Sequence, residues 1–338
     1  MFFRAGGIRF IADILPHLSE RYHVDFYVAG PKDDDFEYRG ARVHIVRSRQ
    51  IPFTDKRFLP SLDADADVCI FLDYAAALSR NGGERNLVVM HHLAQSFYDE
   101  NPWLYRKYFG RIGMRYLSVE RFLLRRVKNK APTALAVSDV SVPYLMRLGF
   151  DVRVVGNGID VGRYRPGEKE EFAVVVGRLV SYKRVEWALD VARRTGIPVK
   201  VIGTGPLERY LREVAPENVE FLGYVPEEDK VDILSRAKYL LAFSAFEGFD
   251  IPVIEAMASG AVPVMSDIRA HRFILAGRRA GVLVKSLDDA VKAVQRLERN
   301  PGEWQVLSFA GRSLVEELWS AEVVARKYVK VIEGLLGG

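Results

Sequence analysis

Short apolar runs alternate with amphipathic segments of helical period along almost the whole chain. That alternation marks an α/β protein built on parallel sheets. In the first half it predicts strands over 24–29, 41–46, 68–72, 86–90, 133–137 and 152–155. Helices are expected over 8–21, within 102–128 and over 140–148. The second half repeats the rhythm, with strands over 173–176, 199–202, 219–222, 239–242, 262–265 and 282–284. Helices fall between these strands, and three more follow over 287–299, 303–318 and 321–335. The pattern therefore describes two consecutive doubly wound units. The polar stretch Arg163-Tyr164-Arg165-Pro166-Gly167-Glu168-Lys169-Glu170-Glu171 reads as the linker, which sets the domains at 1–162 and 163–319. Two sheets joined in this way face each other across a cleft at their strand C-termini, where open α/β sheets take ligands.

The start of the chain departs from this scheme. A doubly wound sheet begins with a strand that becomes central, yet the Gly6-Gly7 turn comes after only five residues. Either 1–4 supplies a stub or the start lies upstream, because a missing central strand leaves unpaired backbone on its neighbours.

Composition narrows the class. With 338 residues, 49% of them hydrophobic and 28% charged, the chain can bury substantial cores and is neither disordered nor a membrane bundle. No apolar run approaches the roughly 20 residues that cross a bilayer. Met1-Phe2-Phe3-Arg4-Ala5-Gly6-Gly7 holds no signal-peptide core, so the expected location is the cytoplasm. Cys69, the single cysteine, lies in a strand run, and no His/Cys spacing resembles a zinc site; no metal is expected. A net charge of +5 is too mild to indicate nucleic acid but favours phosphates or acidic headgroups as partners.

The strongest chemical signal runs from Phe243 through Glu247-Gly248-Phe249-Asp250-Ile251-Pro252 to Glu255. A strand ends, a loop carries Glu247, and Pro252 suits a first helical turn, which places Glu255 near the helix start. Two carboxylates facing the cleft suit sugar and ribose hydroxyls, and the helix N–H groups suit phosphate. Alone, the pair fits a helix-dipole charge plus a solvated acid better than a ligand site. It is accompanied by Gly177-Arg178-Leu179-Val180-Ser181-Tyr182-Lys183, where Arg178 offers a rigid fork and Lys183 a mobile point charge. Together they suit a diphosphate that gains negative charge as it leaves.

Gly203-Thr204-Gly205 is a strand-to-helix turn whose glycines permit close ligand approach, and Gly6-Gly7 opens a helix that presents N–H groups to an anion. His91 and His92 follow an apolar strand and point opposite ways, so one of them, His91 by preference, faces the substrate. Asp73, at the end of another strand, is a candidate on the acceptor side, with His92 beside it.

These residues, in this order, make the chain resemble the retaining glycosyltransferases of family 4 (glycosyltransferase group 1), which have the GT-B fold. The resemblance is carried by Gly6-Gly7, His91, Ser138, Asn157-Gly158-Ile159-Asp160, Gly177-Arg178-Leu179 with Lys183, and Gly203-Thr204-Gly205. It continues through Phe221-Leu222-Gly223, the Glu247–Glu255 motif, and Ser266-Asp267-Ile268 with His271. It implies two Rossmann-like domains and a nucleotide-diphosphate sugar, mannose or glucose by preference, bound mainly by the second of them. It further implies retention without a bound metal, a glycan, lipid-linked or small-molecule acceptor on the first domain, and a last helix, 320–338, crossing back onto that domain. By family pattern Arg178 and Lys183 contact the diphosphate, Glu247 the donor sugar and Glu255 the ribose, with His91 at the reaction centre. The rest of the implied donor site is Gly6, Gly7, Gly177, Gly203, Gly205, Gly248, Phe249, Asp250 and Ile251.

The family usually has Gly where Asp250 stands. A carboxylate aimed inward there repels phosphate by several kcal/mol in a low dielectric, so Asp250 is expected to point outward or to read the sugar. A related GT-B enzyme (sugar-phosphate synthase, phosphorylase or epimerase) and a non-catalytic nucleotide-sugar binder are the rival readings. A nicotinamide-dependent dehydrogenase lacks its glycine fingerprint.

Residues 105–130 contain nine Lys or Arg against one acid, Glu120. Tyr105, Phe109, Ile112, Tyr116, Val119, Leu123 and Val127 recur at helical spacing and are expected to pack on the first sheet. The cationic face suits either solvent or an anionic membrane surface.

Overall fold

The computed structural model describes residues 6–30, 34–47, 66–78, 82–91 and 93–337. The chain divides into two compact units, Met1–Gly158 with Ala321–Gly338, and Ile159–Ser320.

Unit 1 opens with α1 (Gly6–Ser19), followed by β1 (Asp25–Gly30), β2 (Asp34–Tyr38) and β3 (Ala41–Arg47). Then come β4 (Ile70–Leu72), β5 (Leu87–Met90), α2 (Ala94–Glu100), α3 (Pro102–Lys128), β6 (Thr133–Ala136), α4 (Val142–Arg147) and β7 (Asp151–Val154). Its strands form two sheets, β1-β3-β2 and β4-β5-β6-β7, the second parallel throughout. β5 and β6 are buried at every position, as the unbroken apolar run Leu87-Val88-Val89-Met90 requires of a strand covered on both faces. The sequence reading missed β2, an acidic edge strand antiparallel to β3. Phe36 and Tyr38 are half-buried there while Asp35 and Glu37 stay exposed, and those charges blunt the edge. The expected strand stub at 1–4 lies outside the described residues.

Unit 2 contains β8 (Glu170–Val176), α5 (Val185–Thr195), β9 (Val199–Ile202), α6 (Glu208–Val214), β10 (Val219–Gly223) and α7 (Glu227–Arg236). It continues with β11 (Ala237–Ala242), α8 (Ile251–Ala258), β12 (Val262–Ser266), α9 (Arg269–Leu275), β13 (Val282–Val284), α10 (Leu287–Arg299) and α11 (Pro301–Leu314). All six strands are parallel in the order β10-β9-β8-β11-β12-β13. α5 lays Val185, Ala188, Leu189 and Ala192, a helical i, i+3, i+4, i+7 row, onto this sheet. Ser286 and Asp289 close a reciprocal capping box at the start of α10. Strand order reverses between β8 and β11, so the loops after these two strands diverge and leave a crevice.

α12 (Ala321–Leu336) belongs to unit 1, where it packs against α1 and Arg21 reaches Glu333 at 3.2 Å. The chain enters and leaves unit 2 at one place: Ile159 N donates to Trp319 O at 3.0 Å.

The helix α3 corrects the expected stripe. Gly110 takes φ 55°, ψ −149° and breaks it into two helical segments. The break re-phases the second segment, so Leu117, Glu120, Leu124 and Val127 face inward while Ile112 and Val119 stand 83% and 51% exposed. Burial of an acid in that face is explained by its partners. Glu120 accepts from Ala94 N at 2.8 Å, Gln95 N at 2.7 Å and the Tyr74 hydroxyl at 2.6 Å, which satisfies the orphan N–H groups at the start of α2. Among the described residues no helix is long and apolar enough to cross a membrane.

Candidate active site

The site in unit 2 is built by the two loops that flank the β8/β11 reversal. The first, after β8, is held in place by glycines of the loop after β9. A Cβ on Gly203 would lie 1.9 Å from Gly177 O, and one on Gly205 would lie 2.4 Å from Leu179 O. Backbone therefore packs on backbone here, with Leu179 N donating to Thr204 O at 3.0 Å. Packing of the Gly177–Leu179 turn gives Gly203 and Gly205 a structural reason that the sequence reading had given to ligand approach. The second loop is tied to the first by Ala245 N donating to Tyr182 O at 2.7 Å.

This tie brings Lys183 onto the acids of the second loop. Its ammonium lies 2.5 Å from Glu247 Oε1 and 3.5 Å from Asp250 Oδ1, with the three side chains 17%, 13% and 4% exposed. Lys183 is therefore fixed, not mobile. Burial works against its charge, but Asp250 and Glu247 outweigh that and hold its pKa above the ordinary lysine value. Burial raises the Glu247 carboxyl, with Lys183 opposing. For Asp250 the balance goes the other way: burial is overcome by Lys183 and by the His271 hydrogen bond, and its pKa falls.

Of the two expectations for Asp250, the outward one does not hold. It takes φ 91° at the start of α8, and its carboxylate turns inward between Lys183 and His271 Nε2, the latter at 3.0 Å. Repulsion does not expel it because two donors surround it. His271 is fully buried, and its Nδ1 donates to Ser266 O at 2.7 Å. A carbonyl only accepts, so the Nδ1 proton faces Ser266 O. Lys183 thus faces the two acids, with His271 against Asp250, in one buried constellation, the arrangement that makes buried charge tolerable.

Glu255 also differs from its expected place. α8 begins at Ile251, so Glu255 falls beyond the first turn, 2% exposed. Lys230 Nζ lies 2.8 and 2.7 Å from its two oxygens, and the Tyr164 hydroxyl donates at 2.8 Å. Lys230 also reaches Glu227 at 3.1 Å. Arg178 is exposed, and its charge acts together with that of Lys183 on the half-buried Tyr182 hydroxyl. Gly248 is buried, Ile251 is half-buried, and the Phe249 ring packs against Trp319 and Phe273 at 5.3 and 6.2 Å. Phe249 thereby belongs to the core through its side chain.

In unit 1, Asp73 and His91 come together at the ends of β4 and β5. Asp73 Oδ1 accepts from His91 N at 3.0 Å and lies 3.4 Å from His91 Nδ1, so the two candidates of this unit stand against each other. His92 lies outside the described residues. Gly6 and Gly7 form the first turn of α1. No group of three or more His, Cys, Asp or Glu suited to a metal occurs among the described residues.

The sequence reading gave no role to His271, Lys230 or Tyr164. His271 stood in the family pattern, and its placement 21 residues after Asp250 is linked to it only by the fold. Lys230 hid in the acidic run Glu227-Glu228-Asp229.

Residues 170–300 match the family model of group 1 glycosyl transferases. Over 192 residues the chain is 32% identical to a phosphatidyl-myo-inositol mannosyltransferase of Mycolicibacterium smegmatis, covering 52% of this chain and 49% of that protein. It is 25% identical over 250 residues to an MMP alpha-(1->4)-mannosyltransferase of Mycolicibacterium hassiacum, covering 68% and 58%. The chain spans about half the length of the curated relatives it matches. In structure it is similar to sucrose-phosphate synthase of Thermosynechococcus elongatus, with TM-score 0.78, 17% identity and coverage of 98% and 92%. HepE of Anabaena, solved with UDP-glucose, gives TM-score 0.71 and 13% identity over 100% and 98% of the two chains. The resemblance to group 1 glycosyltransferases and the GT-B fold are thereby shown.

Proposed function

We propose that this relative of the group 1 glycosyltransferases is a retaining hexosyltransferase. It moves a hexose, mannose or glucose by preference, from a nucleotide-diphosphate sugar to a glycan, lipid-linked or small-molecule acceptor. The observation that carries the reading is the buried ammonium of Lys183, held between Glu247 and Asp250 at the sheet reversal of unit 2. Relatives named as mannosyltransferases and a fold neighbour solved with UDP-glucose support the donor class.

In this reading the donor diphosphate meets Lys183 from the open side of the crevice, with Arg178 supplying a second cation. The N-terminal N–H groups of α8 add to the same field. Glu247 takes a donor-sugar hydroxyl, and Glu255, oriented by Lys230 and Tyr164, takes the ribose. As the C1–O bond to the terminal phosphate breaks, negative charge grows on that phosphate and Lys183 stabilises it without rearranging. The acceptor oxygen bonds to C1 on the face that the phosphate leaves, and its proton passes to the departing phosphate oxygen. No protein nucleophile and no metal is called for. His91, oriented by Asp73, serves the sugar near the reaction centre by family pattern.

A thermal-shift screen against UDP, GDP, ADP and their hexose conjugates tests the donor class. A ligand at 100 times its Kd stabilises by about 2.7 kcal/mol. Labelled-sugar transfer with the stabilising donor, and the anomeric configuration of the product, then test transfer and retention. If no sugar nucleotide stabilises the protein, the reading fails.

A further inference from the structure

The outward face of α3 stands exposed among the described residues. After the break at Gly110, Arg111, Ile112, Arg115, Val119, Phe122 and Arg126 follow at steps of one, three and four, which at about 100° per residue set them on one side of the helix. Ile112, Val119 and Phe122 are 83%, 51% and 58% exposed. The opposite side is the buried row of Leu117, Glu120, Leu124 and Val127. Glu120, the single acid of the helix, is thus drawn inward onto the start of α2, and the outward side carries cations, apolar groups and Ser118 but no acid. Arg126 Cζ stands 5.8 Å over the Phe122 ring, and before the break Lys107 Nζ stands 5.4 Å over the Trp103 ring, itself 68% exposed. Large apolar side chains gathered on one face call for an occupant.

We infer that this face docks on an anionic lipid bilayer. Guanidinium groups meet acidic headgroups, while Ile112, Val119 and Phe122 enter the acyl boundary between them, with the arginine stems lying along apolar surface. A second copy of the chain fits poorly, because the face presented to itself sets cation against cation. The inference rests on α3 alone and is independent of the sugar-nucleotide chemistry.

The test is co-sedimentation of the full chain with vesicles of phosphatidylcholine alone or with phosphatidylglycerol added. Wild type is expected to sediment with the anionic vesicles at low salt, to be released by high salt, and to ignore the neutral ones. Replacing Arg111, Arg115 and Arg126 together by Gln lowers the partition on the order of 100-fold, from about fivefold per charge at an anionic surface. Replacing Ile112, Val119 and Phe122 by Ser also weakens it, with far-UV melting close to wild type because more than half of each side chain already stands in solvent. Wild type left in the supernatant at low salt, or equal sedimentation of wild type and the Gln variant, overturns the inference. So does a concentration-dependent dimer lost in Phe122→Ser, which makes the face a contact between copies.

Discussion

Asp250 accepts from His271 Nε2 at 3.0 Å while its own backbone stands at φ 91°, ψ 72°. The left-handed conformation costs a non-glycine residue about 1 kcal/mol, so the side chain must return more than the backbone loses. It does so by pairing with Lys183 and accepting from His271, with its own carboxylate only 4% exposed.

Asp250→Gly separates the two effects. Relief of the backbone is expected to return about 1 kcal/mol, against about 3–5 kcal/mol for breaking a buried ion pair. A net loss of about 2–4 kcal/mol should follow in urea unfolding. A variant more stable than wild type would show that the carboxylate contributes nothing to the fold.

Lys183→Met keeps most of the side-chain volume and removes the charge. It strands two buried carboxylates, and unfolding should show a loss of about 3 kcal/mol or more. Turnover with a sugar nucleotide should fall by about 10²–10³, as for removal of one preorganised electrostatic donor. Transfer at the wild-type rate in folded protein refutes the role assigned to the ammonium.

The pH dependence of this constellation has a definite sign. Asp250 lies below its ordinary 3.8, so its contribution holds above that value and is lost as pH falls through the folded pKa. Lys183 lies above its ordinary 10.5, so its contribution holds below that value and is lost as pH climbs through the folded pKa. Glu247, raised above 4.5, acts oppositely: its ionised form costs stability, and acid relieves that cost. The stability difference between wild type and Lys183→Met should therefore narrow as acid protonates the carboxylates stranded in the variant, and again in strong alkali as Lys183 of the wild type loses its proton. Urea midpoints of both proteins along a pH series decide it; a difference that does not change with pH contradicts the pairing.

Glu120→Gln leaves one acceptor oxygen where the carboxylate has two, so one donor among Ala94 N, Gln95 N and the Tyr74 hydroxyl loses its partner. The expected cost is about 1–3 kcal/mol. Hydrogen exchange at Ala94 and Gln95 should quicken before that of β5 and β6. Unchanged protection at both amides would mean that the carboxylate does not hold the start of α2.

Asp73→Ala frees the His91 ring in unit 1 without touching unit 2. Transfer should fall by up to about 100-fold, the scale of a small misplacement near a reacting centre. The thermal shift produced by nucleotide should remain at the wild-type value. Loss of nucleotide binding in this variant would place Asp73 in a different role.

How much of this was legible in the chain depends on how far apart the partners lie. Strand β12 was readable because burial on both faces writes it as an apolar run, Val262 to Met265. Glu247 and Lys183 were readable as chemistry by their position after strands. Their contact was not, since it depends on strand order and no local pattern records that β8 lies beside β11. Asp250 was misjudged for the same reason: its proximity to His271 is tertiary. On α3 the error was one of phase. A regular wheel run through Gly110 assigns Ile112 and Val119 to the core, and a single residue at φ 55° rotates them out of it.

One consequence lies in the pairing of Ile159 with Trp319. Residues 159–320 begin and finish at the same spot, so the segment is a cassette spliced into a host whose own ends are clasped by α1 and α12. Cutting at that doorway severs only two covalent connections and leaves the six-stranded sheet whole. Residues 159–320 are thereby a separable part in gene construction, ready to be excised, joined head to tail or transplanted as one piece.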